Sequence, residues 1–468
     1  MTTPGSPTTA DAWGERLPRR LGLLSAWAVA VGTTIGSGIF RTPGVVAGRV
    51  DEPALFVGGW VLGGVLALAG ALTYAELAAM YPRTGGMYVY IREGFGRLPA
   101  FLFGWAELLV IRPAAFGAIS IVSAEYFWRL LGVNGGADLA TLPISIAQAT
   151  AALFIVLVGA TNYCGIQFGA IIQNVSTVFK VGALALLVAM GVILPHGPVA
   201  IEALPPADGA ALSAAAAFGV AMIAILWAYD GWADLAFVSG EVRDPQRILP
   251  RALMLGTGTV AVLYLAAIAV YLHIVPLASM PGSPLIAADA AQAVIGRAGV
   301  VFVSLAIMIS TFGTLNGSMM TGPRVFYAMA EDRLFFRGLA AVHPRYGTPG
   351  RSIALATVLG VIFVSIREFA QLADQFIIGI WPFYALGVAA VFVLRRRDPG
   401  RPRPYRAWGY PVVPLLFLLA SVYLLGNYMI SETRLFLADV LVILSGVPIY
   451  LVWGRGRRRE GGGDRIDA

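Results

Sequence analysis

Residues 31–40, VGTTIGSGIF, lie inside the first long apolar run, residues 21 to about 48. Three glycines and two threonines in ten positions are poor material for an unbroken helix. A helix that breaks in a bilayer exposes N–H and C=O groups that lipid cannot satisfy, so such a break must be buried in protein or line a cavity. Two readings follow. The stretch is a small-residue packing face between helices, or the N–H groups of Gly36, Ser37 and Gly38 open a second half-helix whose positive end attracts an anion, a carboxylate above all.

The composition fixes the solvent. The 468 residues are 58% hydrophobic and 13% charged, against roughly 45–50% and 25% in soluble domains, and the mean hydropathy is +0.77. This is the signature of an all-α integral membrane protein. No cleavable leader is expected, because the first apolar run has no small-residue cleavage site after a short core. One cysteine, Cys164, excludes an intrachain disulfide and a cysteine-based metal cluster, and His196, His273 and His343 have no ligand spacing. No metal or other cofactor is expected.

Apolar runs of spanning length, roughly 20 residues, occur about twelve times: near 21–48, 54–80, 101–131, 144–163, 168–194, 213–238, 252–273, 299–329, 353–369, 376–394, 411–430 and 435–453. Arginines alternate accordingly. One side of the expected membrane takes Arg16, Arg19, Arg20, Arg83, Arg92, Arg97, Arg243, Arg247, Arg251, Arg333, Arg337, Arg345, Arg351, the run RRRDPGRPRPYR from Arg395 and the tail GRGRRR from Gly454. The other takes Arg41, Arg49, Arg129, Arg297, Arg367 and Arg434. The positive-inside rule makes the first side, with both termini, cytoplasmic. It also explains the pI of 9.6 without nucleic acid.

The chain reads as two halves. About 190 residues after the GSG, the sixth run carries LWAYDGWADL at 226–235, where Asp230 and Gly231 interrupt an apolar helix. Interrupted spans at matching places in two halves are the best sequence pointer to a transporter site. Five spans per half is odd, so the repeat is inverted: about 21–194 and 213–394, with two extra helices at about 411–453 between a tail at 1–20 and a basic tail at 454–468.

Charges within spans are functional candidates. Lys180, the only lysine, sits mid-span, too deep to snorkel. It either braces a helix break or a carboxylate, or acts as a fixed or titrating cation beside the first span. Asp230 either caps a half-helix or attracts a cationic group, and Asp234 lines the same face or marks an exit. Glu107 and Arg112 are five residues apart, about 140° round an α-helix, so direct pairing is not expected, and both are read as structural.

At this point the motifs converge. GTTIGSGIF at 32–40, ELAAMYPRTGGMYVYIREGFG at 76–96, WAELLVIRP at 105–113, WAYDGW at 227–232, EVRDPQRILPRA at 241–252 and TFGTLNGS at 311–318 resemble the amino acid–polyamine–organocation (APC) superfamily, within it the L-type amino acid transporter (LAT) branch. The resemblance covers essentially all but the tails. It implies a LeuT-like fold of five plus five inverted spans and two more, with spans one and six discontinuous. It implies a substrate carboxylate on the N–H groups of Ser37 and Gly38 within the Thr34–Ile35–Gly36 break, and a substrate ammonium on carbonyls of Thr34, Trp227 and Asp230. Trp227 takes the position of an aromatic gate, Ala228 and Tyr229 belong to the same string, and Trp381 matches a tenth-span pocket aromatic. Lys180 stands where sodium-coupled relatives hold a cation, near Thr314 or Ser318.

Two departures bear on partners and specificity. Animal members carry a cysteine after span three for a disulfide to a heavy chain; the loop LGVNGGADLATLP at 131–143 has none, so no disulfide-linked heavy chain is expected. Ala233 and Asp234 stand where many relatives have Asn and a larger residue, which leaves the side chain carried open. The expected function is sodium-independent exchange of small or medium neutral L-amino acids in a cell membrane. A cationic-substrate or proton-coupled permease is the alternative. A channel or receptor on the same fold ranks below both, since no ring of like charges or filter repeat is present. An enzyme ranks last, since neither HExxH nor GxSxG occurs.

Overall fold

The computed structural model describes residues 13–133, 144–197, 201, 213–283 and 285–452; the tails at 1–12 and 453–468 and most of the loop at 131–143 lie outside the described residues. Among the described residues ten helices are long and apolar enough to cross a membrane: Leu23–Ala47, Pro53–Met80, Arg97–Leu130, Ile146–Tyr163, Ile166–Ile193, Pro245–Ile274, Arg297–Glu331, Gln371–Arg397, Val412–Ser431 and Thr433–Val452. The shorter Ala214–Tyr229 and Gly350–Ile366 supply the sixth and ninth spans, which makes twelve, in an all-helical, LeuT-like bundle. Several helices outrun the apolar runs. The third begins at Arg97, the seventh at Pro245 and the tenth at Phe369, because a helix continues past the hydrocarbon with polar residues on its end turns. Helices Met87–Phe95 and Ile286–Ile295 were not anticipated; at nine and ten residues they fall below spanning length.

The first span is two helices, Leu23–Thr34 and Gly38–Ala47. The sixth is likewise broken after Tyr229 and resumes as Asp234–Phe237. The breaks interlock. Gly231 has φ +108°, and a Cβ there would lie 2.7 Å from the Thr33 carbonyl carbon. A Cβ on Gly38 would lie 2.3 Å from the Ala228 Cα. Each glycine lets the other broken helix pass backbone to backbone. Thr33 Oγ1 donates to the Gly231 carbonyl at 3.0 Å, so one break satisfies part of the other, as hydrocarbon burial requires.

The arginine-rich end of the bundle is closed by buried polar contacts. Glu76 accepts two hydrogen bonds from Arg395 (2.9 and 2.6 Å) and one from the Ala407 N–H (2.7 Å). Arg324 and Glu241, both fully buried, pair at 2.9 Å. Residues 13–22 cross the same end: the Arg20 and Leu21 N–H groups donate to the Glu241 carbonyl, and Arg16 meets Glu331 at 3.1 Å. The opposite end is closed more lightly, by the half-exposed pair Arg41–Glu125 at 2.8 Å, with the Arg41 guanidinium over the Phe369 ring.

Candidate site at the two helix breaks

Between these ends a small cavity is lined by Thr33, Thr34, Gly36, Ser37 and Gly38 of the first span and Trp227, Asp230, Gly231 and Asp234 of the sixth. Arg112, Ala115 and Ile119 of the third, Ser318 of the eighth and Phe376 of the tenth complete it. Its first wall is backbone. The half-helix Gly38–Ala47 starts at the cavity, and among the described residues the Ser37 and Gly38 N–H groups meet no acceptor in the protein. That leaves them free for a ligand anion at the positive end of a helix. Beside them the Tyr264 hydroxyl donates to the Thr34 carbonyl at 2.9 Å. Asp230 also lines the cavity, one carboxylate oxygen accepting from the Tyr384 hydroxyl at 2.7 Å.

Lys180 lies behind the first-span break. Its ammonium donates to the Gly32 carbonyl (2.7 Å), the Ile35 carbonyl (2.8 Å) and Thr314 Oγ1 (3.0 Å). Thr314 itself bonds the same two carbonyls, and Ser310 also donates to the Ile35 carbonyl. The lysine is 1% exposed, and every partner is a neutral oxygen. Such a ring of carbonyl and hydroxyl oxygens is also the chemistry that binds a bare monovalent cation.

The expected site residues therefore divide. Thr34, Gly36, Ser37, Gly38, Trp227, Asp230 and Ser318 meet at the cavity, and Ile35 turns its carbonyl to Lys180. Ala228 packs against Gly38, and Tyr229 turns away to Tyr264 and Trp60. Trp381 stacks on Phe417 instead; the tenth-span aromatic at the cavity is Phe376, whose ring meets the edge of Trp227 at 5.4 Å. Of the two residues named near Lys180, Thr314 bonds it and Ser318 does not. One turn beyond Thr314, it accepts from Arg112 Nη1 at 3.0 Å.

The pairing of Glu107 with Arg112 corrects the helical-wheel argument. Residues Glu107–Ile111 form a π turn, and the Arg112 N–H donates to the Glu107 carbonyl, five residues back. That wider turn stacks residue 112 over residue 107 instead of leaving it 140° away. Arg112 then bonds Glu107 through both Nη2 (2.9 Å) and Nε (3.2 Å) and reaches Asp234 at 3.3 Å. Gly322 makes the room: a Cβ there would lie 2.4 Å from Arg112 Cδ. The sequence had a signal for this cluster, since any ionisable residue in a span is a site candidate. For Tyr264, Tyr384 and Phe376 it had none, because tyrosine and phenylalanine are common in spans for packing alone.

A family model described as amino acid permease matches residues 21–453. The chain belongs to that family. It is 32% identical over 446 residues to the serine/threonine exchanger SteT of Bacillus subtilis (strain 168), covering 95% of this chain and 98% of the relative. It is 32% identical over 441 residues to the b(0,+)-type amino acid transporter 1 of Homo sapiens, covering 93% and 88%. Against the large neutral amino acids transporter small subunit 2 of Rattus norvegicus it is 29% identical over 459 residues, covering 96% and 84%. These relatives are transporters, and the APC and LAT resemblance drawn from the motifs is the family found.

Proposed function

We propose that this permease exchanges small neutral amino acids by alternating access, without sodium, across the cell membrane of its source, with the arginine-rich end in the cytoplasm. The observation that carries this reading is the cavity's polarity. The lining holds both the free N–H groups of Ser37 and Gly38 and the carboxylate-bearing Asp230, a pair of groups that suits the carboxylate and ammonium of one zwitterion. The cavity is small, about 40 Å³, room for about three waters at ~10–15 Å³ each. Even serine is larger than that, so binding of any amino acid requires the lining, Trp227 and Phe376 included, to open. The names of the relatives support exchange, and Lys180 in the oxygen ring behind the break supports independence from sodium, because a fixed positive charge there repels a second cation.

Counterflow in proteoliposomes tests the reading. Vesicles loaded with unlabelled amino acid should accumulate labelled serine or alanine, whereas empty vesicles should not, with or without an inward proton gradient. Uptake into empty vesicles driven by that gradient would establish the proton-coupled alternative. Asp230 also favours a second reading, a cationic substrate. Arginine outcompeting serine, alanine and leucine by tenfold, about 1.4 kcal/mol, would establish it. The single chain is expected to work in this assay without a heavy chain. Its one cysteine, Cys164, is a free, exposed thiol at the end of the fourth span, at the end proposed to be cytoplasmic.

A further inference from the structure

The chain has three histidines, and their positions in sequence show no ligand spacing. The fold nevertheless brings two of them together, outside the cavity lining. His273 lies in the last turn of span seven, Pro245–Ile274, and His196 follows the end of span five, Ile166–Ile193. Their ring centres are 5.0 Å apart, with the planes at 81°. Both residues are exposed, at the end of the bundle opposite Arg243, Arg247 and Arg251.

The backbone on either side of the pair is held. A Cβ on Gly191 would lie 2.4 Å from Val270 Cγ1 and 3.1 Å from Ile274 Cδ1, so spans five and seven are in close contact just before the rings. The Gly197 N–H donates to the Ala293 carbonyl at 2.9 Å, which fastens the residue after His196 to the helix Ile286–Ile295. Such restraint lowers the ordering cost of a ligand that needs both rings.

Two imidazoles at this separation suit a transition-metal ion. Zn–N bonds of about 2.0–2.1 Å at a tetrahedral angle place two ring centres roughly 5 Å apart. The broad terminal torsion of histidine lets each ring turn a nitrogen to a shared point. Imidazole takes zinc, copper or nickel, whereas magnesium and calcium need oxygen ligands. Among the described residues no third histidine, cysteine or carboxylate completes the group, so water fills the remaining positions and the ion stays exchangeable.

We propose that His196 and His273 form a divalent transition-metal site whose filling joins the outer ends of spans five and seven and slows exchange. The slowing rests on the alternating access proposed above; the binding does not. Span five is fastened to span eight, through Lys180 with Thr314 at 3.0 Å and Gln173 with Asn316 at 3.2 Å. Span seven is fastened to span one, through Tyr264 on the Thr34 carbonyl and through Gly256, where a Cβ would lie 2.7 Å from the Ala30 Cβ. At the level of the break, Lys180 ties the two pairs of spans together through the Gly32 and Ile35 carbonyls. One tie leaves a pivot. A metal adds a second tie at the outer end, and two ties at different depths oppose tilting of one pair against the other.

Zinc is the probe, in a Cys164→Ser background that removes the free thiol. Calorimetric titration of the purified full chain should show one zinc bound with micromolar affinity. His196→Ala and His273→Ala should each weaken it at least tenfold, and His343→Ala should leave it unchanged. Both target side chains are exposed, so the variants should assemble. In serine-loaded proteoliposomes with zinc on both faces, exchange of labelled serine should slow at least threefold. Either variant should exchange at the metal-free rate whether zinc is present or not. No binding, or binding and slowing that persist in both variants, overturns the site. Binding lost in the variants with exchange unslowed overturns the brake. A metal-free protein without counterflow overturns the exchange reading, and the titration still decides the site.

Discussion

Two buried cations, Arg112 and Lys180, lie close to the helix breaks, and the fold treats them in opposite ways. Arg112 is enclosed by carboxylates: Glu107 on two of its nitrogens and Asp234 on a third. Lys180 is enclosed by neutral oxygens alone, two carbonyls of the broken first span and the Thr314 hydroxyl. The chemistry of the side chains suits the difference. A guanidinium has a planar fork that matches a carboxylate, whereas an ammonium is a compact point charge that three dipoles can surround as they would a metal ion. Arg112 is thereby neutralised in place and can serve as a fixed wall. Lys180 has no carboxylate beside it among the described residues and ties the first-span break to spans five and eight, so that whatever moves the break must also move the lysine's partners.

The largest effect expected from breaking this contrast is on folding. Arg112→Met strands Glu107 and Asp234 without a counter-charge, and removing one partner of a buried ionic cluster costs about 3–5 kcal/mol. Thermal unfolding in detergent should show a large drop, and Glu107→Gln added to Arg112→Met should recover part of it. A single variant as stable as the native protein would refute the electrostatic account of the cluster.

Lys180→Ala is expected to behave differently. It leaves only neutral groups without a donor, about 1–3 kcal/mol each when buried, so the protein should still assemble. Counterflow should nevertheless fall at least tenfold, because the first-span break loses its tie. Normal transport by an assembled Lys180→Ala protein would remove the lysine from the working site.

A finer probe is Tyr264→Phe, which removes one hydroxyl from the Thr34 carbonyl. A single neutral hydrogen bond contributes about 1 kcal/mol, so a change of roughly fivefold in KM is expected, with unfolding hardly shifted. No change in KM would separate this carbonyl from the substrate.

The smallest effect expected is none. Replacing sodium with choline should leave native exchange unchanged, since the Lys180 ammonium already uses the oxygens that would hold the ion. Sodium-driven accumulation would contradict the comparison on its most direct point.

Much of this was legible beforehand because it depends on local composition. Glycines at 36, 38 and 231 mark both breaks, and at 38 and 231 an added Cβ would collide with the backbone of the other broken span. Arg112 and Asp234 were visible as charges but not as partners. Phe376 was concealed behind Trp381, five residues further along the same helix. A ring's facing depends on helix rotation, and composition does not record that angle.

The sequence by itself determined the solvent, the number of spans and the place of the breaks. Each follows from how many apolar, charged or glycine residues stand in a window of chain, because hydrocarbon imposes the same demand on every window. Tertiary structure alone decided which side chains face one another across the cavity. One π turn at Glu107–Ile111 changes the rotation of everything in register with it, and it brings Arg112 to Glu107. Asp234 and Ser318 then reach the same guanidinium from spans 122 and 206 residues away. Contacts at such separations depend on the phase and packing of whole helices, a property no single stretch of sequence carries.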